Sequence, residues 1–314
     1  LTVCLIFLYT ELKFLIQNFS HPTNTAQTPV EALGIPSMSI MQVKKIAGAL
    51  GAEISGLDLR QPLPAADARR VREAFLAHQV IFLRNQNLTP QQFLDFARAM
   101  GEPIDYPFLK GLPGFPQIIE VKKLEHETAN FGGIWHSDTT YLEAPPMGSM
   151  LLSREVPPYG GDTMFANQYL AYEALSPAMK EMLAPLIGIS SSAKADVSRT
   201  REDRLKTDGS GDKDRHYAAE HPVVRRHPET GRKALYVNVA HTAGIKGLTD
   251  EESEPLLKFL FQHQVKPEFT CRFSWGPHTI AFWDNRCTQH NPVNDYHGFR
   301  RVMHRITLKG DRPA

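Results

Sequence analysis

The sequence predicts a mainly β fold of the α+β class, a sandwich or jelly roll flanked by helices. Three observations predict it: many short strand-like blocks, Gly and Pro turns between them, and only a few segments with helical signatures. At 314 residues the chain could hold one large or two small domains, and a jelly roll with helical additions fits as one. There is no internal repeat.

Taken in order, Gly51 to Leu57 reads as an early strand and Ala65 to His78 has helical composition. Val80-Ile81-Phe82-Leu83-Arg84 is a short apolar run, expected as a buried strand. Thr89-Pro90-Gln91-Gln92 opens a helix: Thr89 caps, Pro90 enters the first turn and Gln92 closes a capping box. Phe93, Phe96, Ala97 and Met100 form its apolar stripe, and Gly101 stops it. Thr249 with Glu252 repeats the signature ahead of Leu256, Leu257, Phe259, Leu260 and Phe261. The remaining blocks read as short strands: Ile118 to Val121, Met147 to Ser153, Val223 to Arg226, Ala234 to Asn238, Phe269 to Ser274, Thr279 to Trp283 and Val302 to Lys309.

Residues 1–40 are expected to be disordered or a non-native extension of a domain spanning 41–314. The apolar start, Leu1 to Tyr9, is too short to span a bilayer and lacks the basic flank and cleavage site of a signal peptide. A Pro-, Thr- and Ser-rich stretch from Ser20 to Ser37 then reads as linker. Two later segments read as mobile: Lys122 to Gly133, and the charge-dense stretch 193–215, which reads as a solvated surface insertion or, lying between core strands, as a lid over a substrate. The balance of 35 basic and 34 acidic residues gives no field that would favour nucleic acid or an anionic membrane. Three cysteines, Cys4, Cys271 and Cys287, are too few for a disulfide framework, and a reducing cytoplasm is the expected compartment.

His136-Ser137-Asp138, with His290 far downstream, decides the functional reading. Two imidazoles and one carboxylate suit non-haem Fe(II) held on one face, with the other face open to substrate and O2. In an extended segment the side chains at i and i+2 point the same way, so His136 and Asp138 can grip one ion while Ser137 faces away. The tail Arg301-Val302-Met303-His304-Arg305 reads as a strand with Arg301, Met303 and Arg305 on one face. Two arginines on the same face as a metal site point to recognition of carboxylate or another oxyanion.

In these motifs the chain resembles the taurine / 2,4-D dioxygenase family of Fe(II)/2-oxoglutarate-dependent oxygenases. The resemblance is carried by Trp135 to Tyr141, Gly160-Gly161-Asp162-Thr163, Trp283 to His290, and Arg301 to Arg305 with Gly310-Asp311. It implies a double-stranded β-helix core, Fe(II) as metal, and 2-oxoglutarate and O2 as co-substrates. It implies His136, Asp138 and His290 as iron ligands, and Arg301 with Thr163 on the distal carboxylate of 2-oxoglutarate. Arg305 would take the anionic group of a small-molecule substrate. The presence of Asp138 favours hydroxylation over halogenation, and hydroxylation beside a heteroatom would cleave a C–S or C–O bond.

Three positions depart from the taurine-specific pattern: Tyr106 in place of a His, Gly132 in place of an Asn, and His241 in place of a Phe. Tyr106 and His241 are therefore pocket candidates for a different substrate, a sulfonate, sulfate ester or carboxylate. The resemblance is also compatible with a homo-oligomer. Two rival classes are a zinc hydrolase using the same ligands and a non-catalytic jelly-roll binding protein. Asp284, Asn285 and Arg286 read as braces for the strand leading to His290, and His278, His297 and His304 as turn, surface or supporting groups. Trp135 and Trp283 read as core aromatics beside the site.

Overall fold

A computed structural model describes residues 41–106, 109–194 and 216–314. In chain order the elements are β1 (Gln42–Lys45), β2 (Ala52–Ser55), α1 (Ala65–His78), β3 (Val80–Leu83), α2 (Pro90–Met100), β4 (Pro103–Ile104), β5 (Ile119–Lys123), β6 (Gly148–Glu155) and β7 (Thr163–Asn167). There follow α3 (Gln168–Glu173), α4 (Pro177–Leu183), β8 (Ile187–Ser191), β9 (Ala218–Pro222), β10 (Val224–Arg226), β11 (Lys233–Leu235) and β12 (Thr242–Ile245). The chain closes with α5 (Asp250–His263), β13 (Thr270–Phe273), β14 (Ile280–Asp284), β15 (Thr288–Pro292) and β16 (Arg301–Leu308). The expected extension 1–40 and most of the expected lid, 195–215, lie outside the described residues.

The largest sheet has eight strands in the order β1-β2-β3-β14-β6-β16-β4, with β5 also paired to β16. Period-two alternation gives it two apolar faces. Ile81, Leu83, Met150, Leu152, Ile280, Phe282, Ile306 and Leu308 meet α1 and α2, through residues such as Val71, Phe75, Phe93 and Phe96. Phe75 stacks on Phe282 with ring centroids 4.0 Å apart. The intervening residues Val80, Phe82, Ala281 and Trp283 turn to the other face and pack on Phe165, Cys271 and Phe273 of a three-stranded sheet, β13-β7-β15. Phe82 stacks on Phe273 at 3.7 Å between centroids. Each such side chain contributes roughly 1.5–3 kcal/mol of apolar burial, so the layer arrangement follows from the two-faced strands. A further cluster with Leu183, Val223, Leu235, Val237, Leu257 and Leu260 joins α4 and α5 to the outer strands.

Both predicted capping boxes form. Thr89 Oγ1 accepts from the Gln92 amide, while Gln92 Oε1 accepts from the Thr89 amide at 2.8 Å. Thr249 and Glu252 repeat the exchange at the start of α5. Strands β1, β4, β7, β8, β9, β12 and β15 and helices α3 and α4 have no counterpart among the segments expected from the sequence. Most are short, and β8 and β12 carry Gly and Ser or Thr in place of apolar alternation. The expected strand from Ala234 to Asn238 is also shorter, ending at Leu235. Asn238 instead closes a turn, its Oδ1 accepting from the His241 amide and its Nδ2 donating to Thr140 Oγ1. Trp135 is only half-buried, because the turn ahead of His136 leaves it at the rim; Trp283 is core as expected.

His304 projects from β16 on the side away from Arg301 and Arg305. Its Nδ1 accepts from Arg154 Nε at 3.1 Å, and Glu120 faces it across the ladder. Burial first, then the Arg154 charge, push its pKa down to about 4 against a small opposing effect of Glu120. The unfolded chain therefore binds a proton below its ordinary pKa of 6.5 that the folded chain refuses until about pH 4. Stability contributed by the neutral ring is present above 6.5 and lost as pH falls through that window. After discounting for partial exposure, the expected loss is about 1–2 kcal/mol. His304→Gln should flatten this part of the pH profile in urea unfolding; an unchanged slope would refute the assignment.

Candidate active site

The turn-rich segment between β5 and β6 is pinned to β15 by a reciprocal backbone bridge. His136 N donates to His290 O at 3.0 Å, and His290 N donates to His136 O at 2.8 Å. The two imidazoles are thereby brought side by side, ring centroids 4.1 Å apart. Ser137 faces away as expected, its hydroxyl donating to Thr288 O at 2.7 Å. The extended segment ends sooner than the sequence suggests. Asp138 begins a turn in which Thr139 takes a left-handed φ of 43°. The turn carries the carboxylate beneath both rings: Asp138 Oδ1 lies 3.6 Å from His136 Nε2 and 3.9 Å from His290 Nε2.

The three donors fit a metal. One atom from each lies within 4.8 Å of the others, and all three residues are buried. His136 Nδ1 meets the Ile134 carbonyl at 2.7 Å. A carbonyl only accepts, so that nitrogen carries the proton and Nε2 presents its lone pair. Burial, outweighing Asp138, lowers the His136 pKa. Burial and the neighbouring His136 hold His290 well below the ordinary range. Burial alone would raise the Asp138 carboxyl; Arg305, then His290, His136 and the Ser149 hydroxyl overcome it, keeping it ionised. Neutral imidazoles beside a carboxylate are the protonation states that metal binding requires.

Asp138 is oriented by several groups. Ser149 Oγ donates to its Oδ2 at 2.7 Å and Asn285 Nδ2 at 3.1 Å, while Asn285 Oδ1 accepts from the Asp138 amide and from Trp283 Nε1. Neighbouring Asp284 turns away, taking a bidentate bond from Arg286 and one from His227 Nε2 at 3.0 Å. Bracing by Asp284, Asn285 and Arg286 was legible in the sequence; Ser149 and His227 were missed, having no local motif to mark them. His227, Asp284 and Cys287 form a second close grouping. It does not suit a metal, because His227 Nδ1 accepts from the amides of Glu229 and Thr230 while Nε2 serves Asp284.

A cleft opens beside the donors, lined by His136, His290, Thr163, Arg301 and Arg305 between Leu151, Phe165 and Trp283. Arg301 and Arg305 share the face of β16 that the alternation predicts, and both are buried. Arg301 Nε and Nη2 have no hydrogen-bond partner among the described residues. Thr163 Oγ1 accepts from Trp275 Nε1 at 3.0 Å, which leaves its own proton to donate. Arg305 Nη2 lies 2.8 Å from Asp138 Oδ1, its Nε has no described partner, and its guanidinium stands 5.2 Å from the Tyr106 ring. His241 Nδ1 sits 3.1 Å from Thr140 Oγ1, and its ring packs edge-on against His136 and Tyr141. Gly132 has φ 70°, and a Cβ there would come within 3.0 Å of His136 Cε1 and 3.3 Å of Nε2. The glycine is thus favoured by the left-handed backbone, and any side chain there would press on the ring.

Asn285→Ala removes the amide that fixes both the backbone and the carboxylate of Asp138. Metal affinity, read by calorimetry with Mn(II), should fall about 10- to 100-fold. Gly132→Val should weaken the same binding by crowding His136 Nε2, with thermal stability lowered as well. Wild-type affinity in both variants would show that neither contact shapes the donor set.

Comparison with known proteins gives this geometry its context. The model of the taurine catabolism dioxygenase TauD, TfdA family matches residues 42–307. An alkylsulfatase of Acinetobacter baylyi is 35% identical over 278 residues, covering 86% of each chain. An alpha-ketoglutarate-dependent sulfate ester dioxygenase of Pseudomonas putida is 35% identical over 281 residues, covering 87% of this chain and 91% of the relative. The crystal structure of a taurine dioxygenase from Burkholderia xenovorans superposes with a TM-score of 0.74 at 36% identity, covering 87% of this chain and 92% of that one. With its His-Asp-His donors converging beside a buried arginine cleft, the chain belongs to the TauD/TfdA family and is an Fe(II)- and 2-oxoglutarate-dependent dioxygenase.

Proposed function

We propose that this enzyme hydroxylates a small organic sulfate ester at the carbon bearing the ester oxygen, releasing sulfate. The observation that carries the reading is Arg305: a buried guanidinium beside the metal donors, stacked near Tyr106, with Nε unpartnered among the described residues. Names of relatives that act on sulfate esters support that anion over a carboxylate or a sulfonate. The catalytic domain is assigned to residues 41–314, its sheets forming a double-stranded β-helix, and the enzyme to a reducing cytoplasm, in keeping with the free, buried Cys271 and Cys287. No helix among the described residues is long and apolar enough to cross a membrane.

In this reading His136, Asp138 and His290 hold Fe(II). Arg301 and the Thr163 hydroxyl take the distal carboxylate of 2-oxoglutarate, Arg301 by its unpartnered Nε and Nη2. With 2-oxoglutarate and O2, the bound iron supplies C–H hydroxylation coupled to release of succinate and CO2. Arg305 orients the sulfate so that the ester carbon faces the metal, and Tyr106 and His241 shape the wall on either side. Phe165, Leu151 and Trp283 keep water from the reacting carbon. The product carries hydroxyl and sulfate on one carbon. Its C–O bond to sulfate breaks with the electron pair leaving on sulfate, the hydroxyl loses its proton to water, and an aldehyde remains.

Sulfate ester should stimulate succinate formation from 2-oxoglutarate, with one sulfate released per succinate. Arg305→Met should raise KM for the ester at least tenfold, the worth of a charge-assisted hydrogen bond, while 2-oxoglutarate binding changes little. Chelation should abolish turnover; Fe(II) should restore it and Zn(II) should not, which separates the oxygenase from a zinc hydrolase. Tight coupling to a sulfonate or carboxylate with none to sulfate esters would overturn the substrate assignment.

A further inference from the structure

Lys123 is the last residue of β5 and is buried, with 3% of its surface exposed. Its Nζ has no hydrogen-bond partner among the described residues. A buried ammonium without a partner is costly. Three facts place it beside Arg301, at the edge of the cleft. Val121, two residues earlier on the same strand, lines that cleft, so alternation turns Lys123 to the same side. In the β5–β16 ladder Lys123 stands directly opposite Arg301. Its Nζ lies 4.5 Å from the centre of the Tyr296 ring, and the same ring borders Arg301: a Cβ on Gly161 would touch Tyr296 Cδ1 at 3.2 Å and Arg301 Cδ at 3.5 Å.

Like charges directly opposite on paired strands destabilise a sheet. Here both are also buried, and among the described residues neither has a carboxylate hydrogen-bonded to it. Glu125 and Glu127 attract Lys123 without a hydrogen bond to Nζ. The Tyr296 face offsets part of the cost through a cation–π contact. Asp162 attracts Arg301, as Glu125 and Glu127 attract Lys123, without a hydrogen bond to either side chain, so both cations keep donors that a bound carboxylate can take up, Arg301 by Nε and Nη2 and Lys123 by Nζ.

We propose that Lys123 is a second cation for the distal carboxylate of 2-oxoglutarate, acting beside Arg301 across the β5–β16 ladder and positioned by the Tyr296 ring. The inference rests on the assignment of Arg301 to that carboxylate. It is tested on metal-loaded protein without O2, by calorimetric titration with 2-oxoglutarate and with 2-oxobutyrate, which lacks the distal carboxylate. Lys123→Met should weaken 2-oxoglutarate about tenfold or more and leave 2-oxobutyrate unchanged, and Lys123→Arg should retain most of the affinity. Wild-type protein labelled with 15N-lysine gives a readout needing no substitution: the Lys123 Nζ resonance should shift with 2-oxoglutarate and not with 2-oxobutyrate. An unmoved resonance, equal weakening of both keto acids, or a folded Lys123→Met with affinity within about twofold of wild type would overturn the proposal. Arg301→Gln is run alongside. If it leaves 2-oxoglutarate binding intact, the underlying assignment fails, whatever Lys123 does.

Discussion

The Asp138 carboxylate is the point on which the site depends. It is 2% exposed, lies against two imidazoles and a guanidinium, and takes hydrogen bonds from Ser149 and Asn285. Removing an ion from water costs several kcal/mol even after relaxation. That cost is met by groups drawn from distant parts of the chain: β6 supplies Ser149, the β14–β15 turn supplies Asn285, and β16 supplies Arg305. Only a fold that brings these elements together can hold the charge, so sheet and site specify one another.

The turn between β14 and β15 shows how this coupling extends outward. Asp284 anchors the turn from within: its carbonyl accepts from Thr288 Oγ1 and its carboxylate binds Arg286 and His227. Arg286 continues to Glu229, which also pairs with Arg72 of α1. One ionic chain therefore runs from a surface-facing helix to the turn that delivers His290. His227 is placed to accept from two amides and donate to Asp284, which makes it a structural link and leaves it no lone pair for a metal.

Much of this was legible in the sequence because its signals are local. The capping boxes at Thr89 and Thr249 and the alternation of Arg301, Met303 and Arg305 each express a short-range period, while the H-x-D residues meet through a turn at Asp138 in place of the extended pairing the spacing suggests. What the sequence concealed is long-range or weakly patterned. Ser149 lies in a strand whose apolar neighbours hide it, and its role exists only because β6 passes beneath Asp138. Lys123 reads as part of a polar, mobile segment when judged by composition; pairing with β16 is what buries it. The outer strands β8, β9 and β12 carry too few apolar residues to announce themselves; they pair in the order β12-β8-β9, and Ile245 of β12 joins the cluster under α5.

The arrangement of charge in the cleft bears on specificity as much as on affinity. Arg301 and Lys123 stand opposite each other on β16 and β5, while Arg305 stands apart beside Asp138 and Tyr106. If, as proposed, one position takes the keto acid and the other the substrate, two anions of similar chemistry must be sorted between them, and a single cluster of cations would accept either one. Register separates them: Arg301 and Arg305 lie on the same face of β16 with Met303 between them, about 13 Å apart along the strand. Asp138 sharpens the distinction, because its charge next to Arg305 offsets one cation and repels a second carboxylate brought alongside. On the proposed assignments, the distal carboxylate of the keto acid goes to the pole with two cations, and a singly charged ester to the pole where Asp138 offsets Arg305. Tyr106 borders Arg305, while Gly132 and His241 stand against His136, so in the proposed reading the space on the substrate side can change while Arg301 and Lys123, opposite each other on β16 and β5, stay as they are.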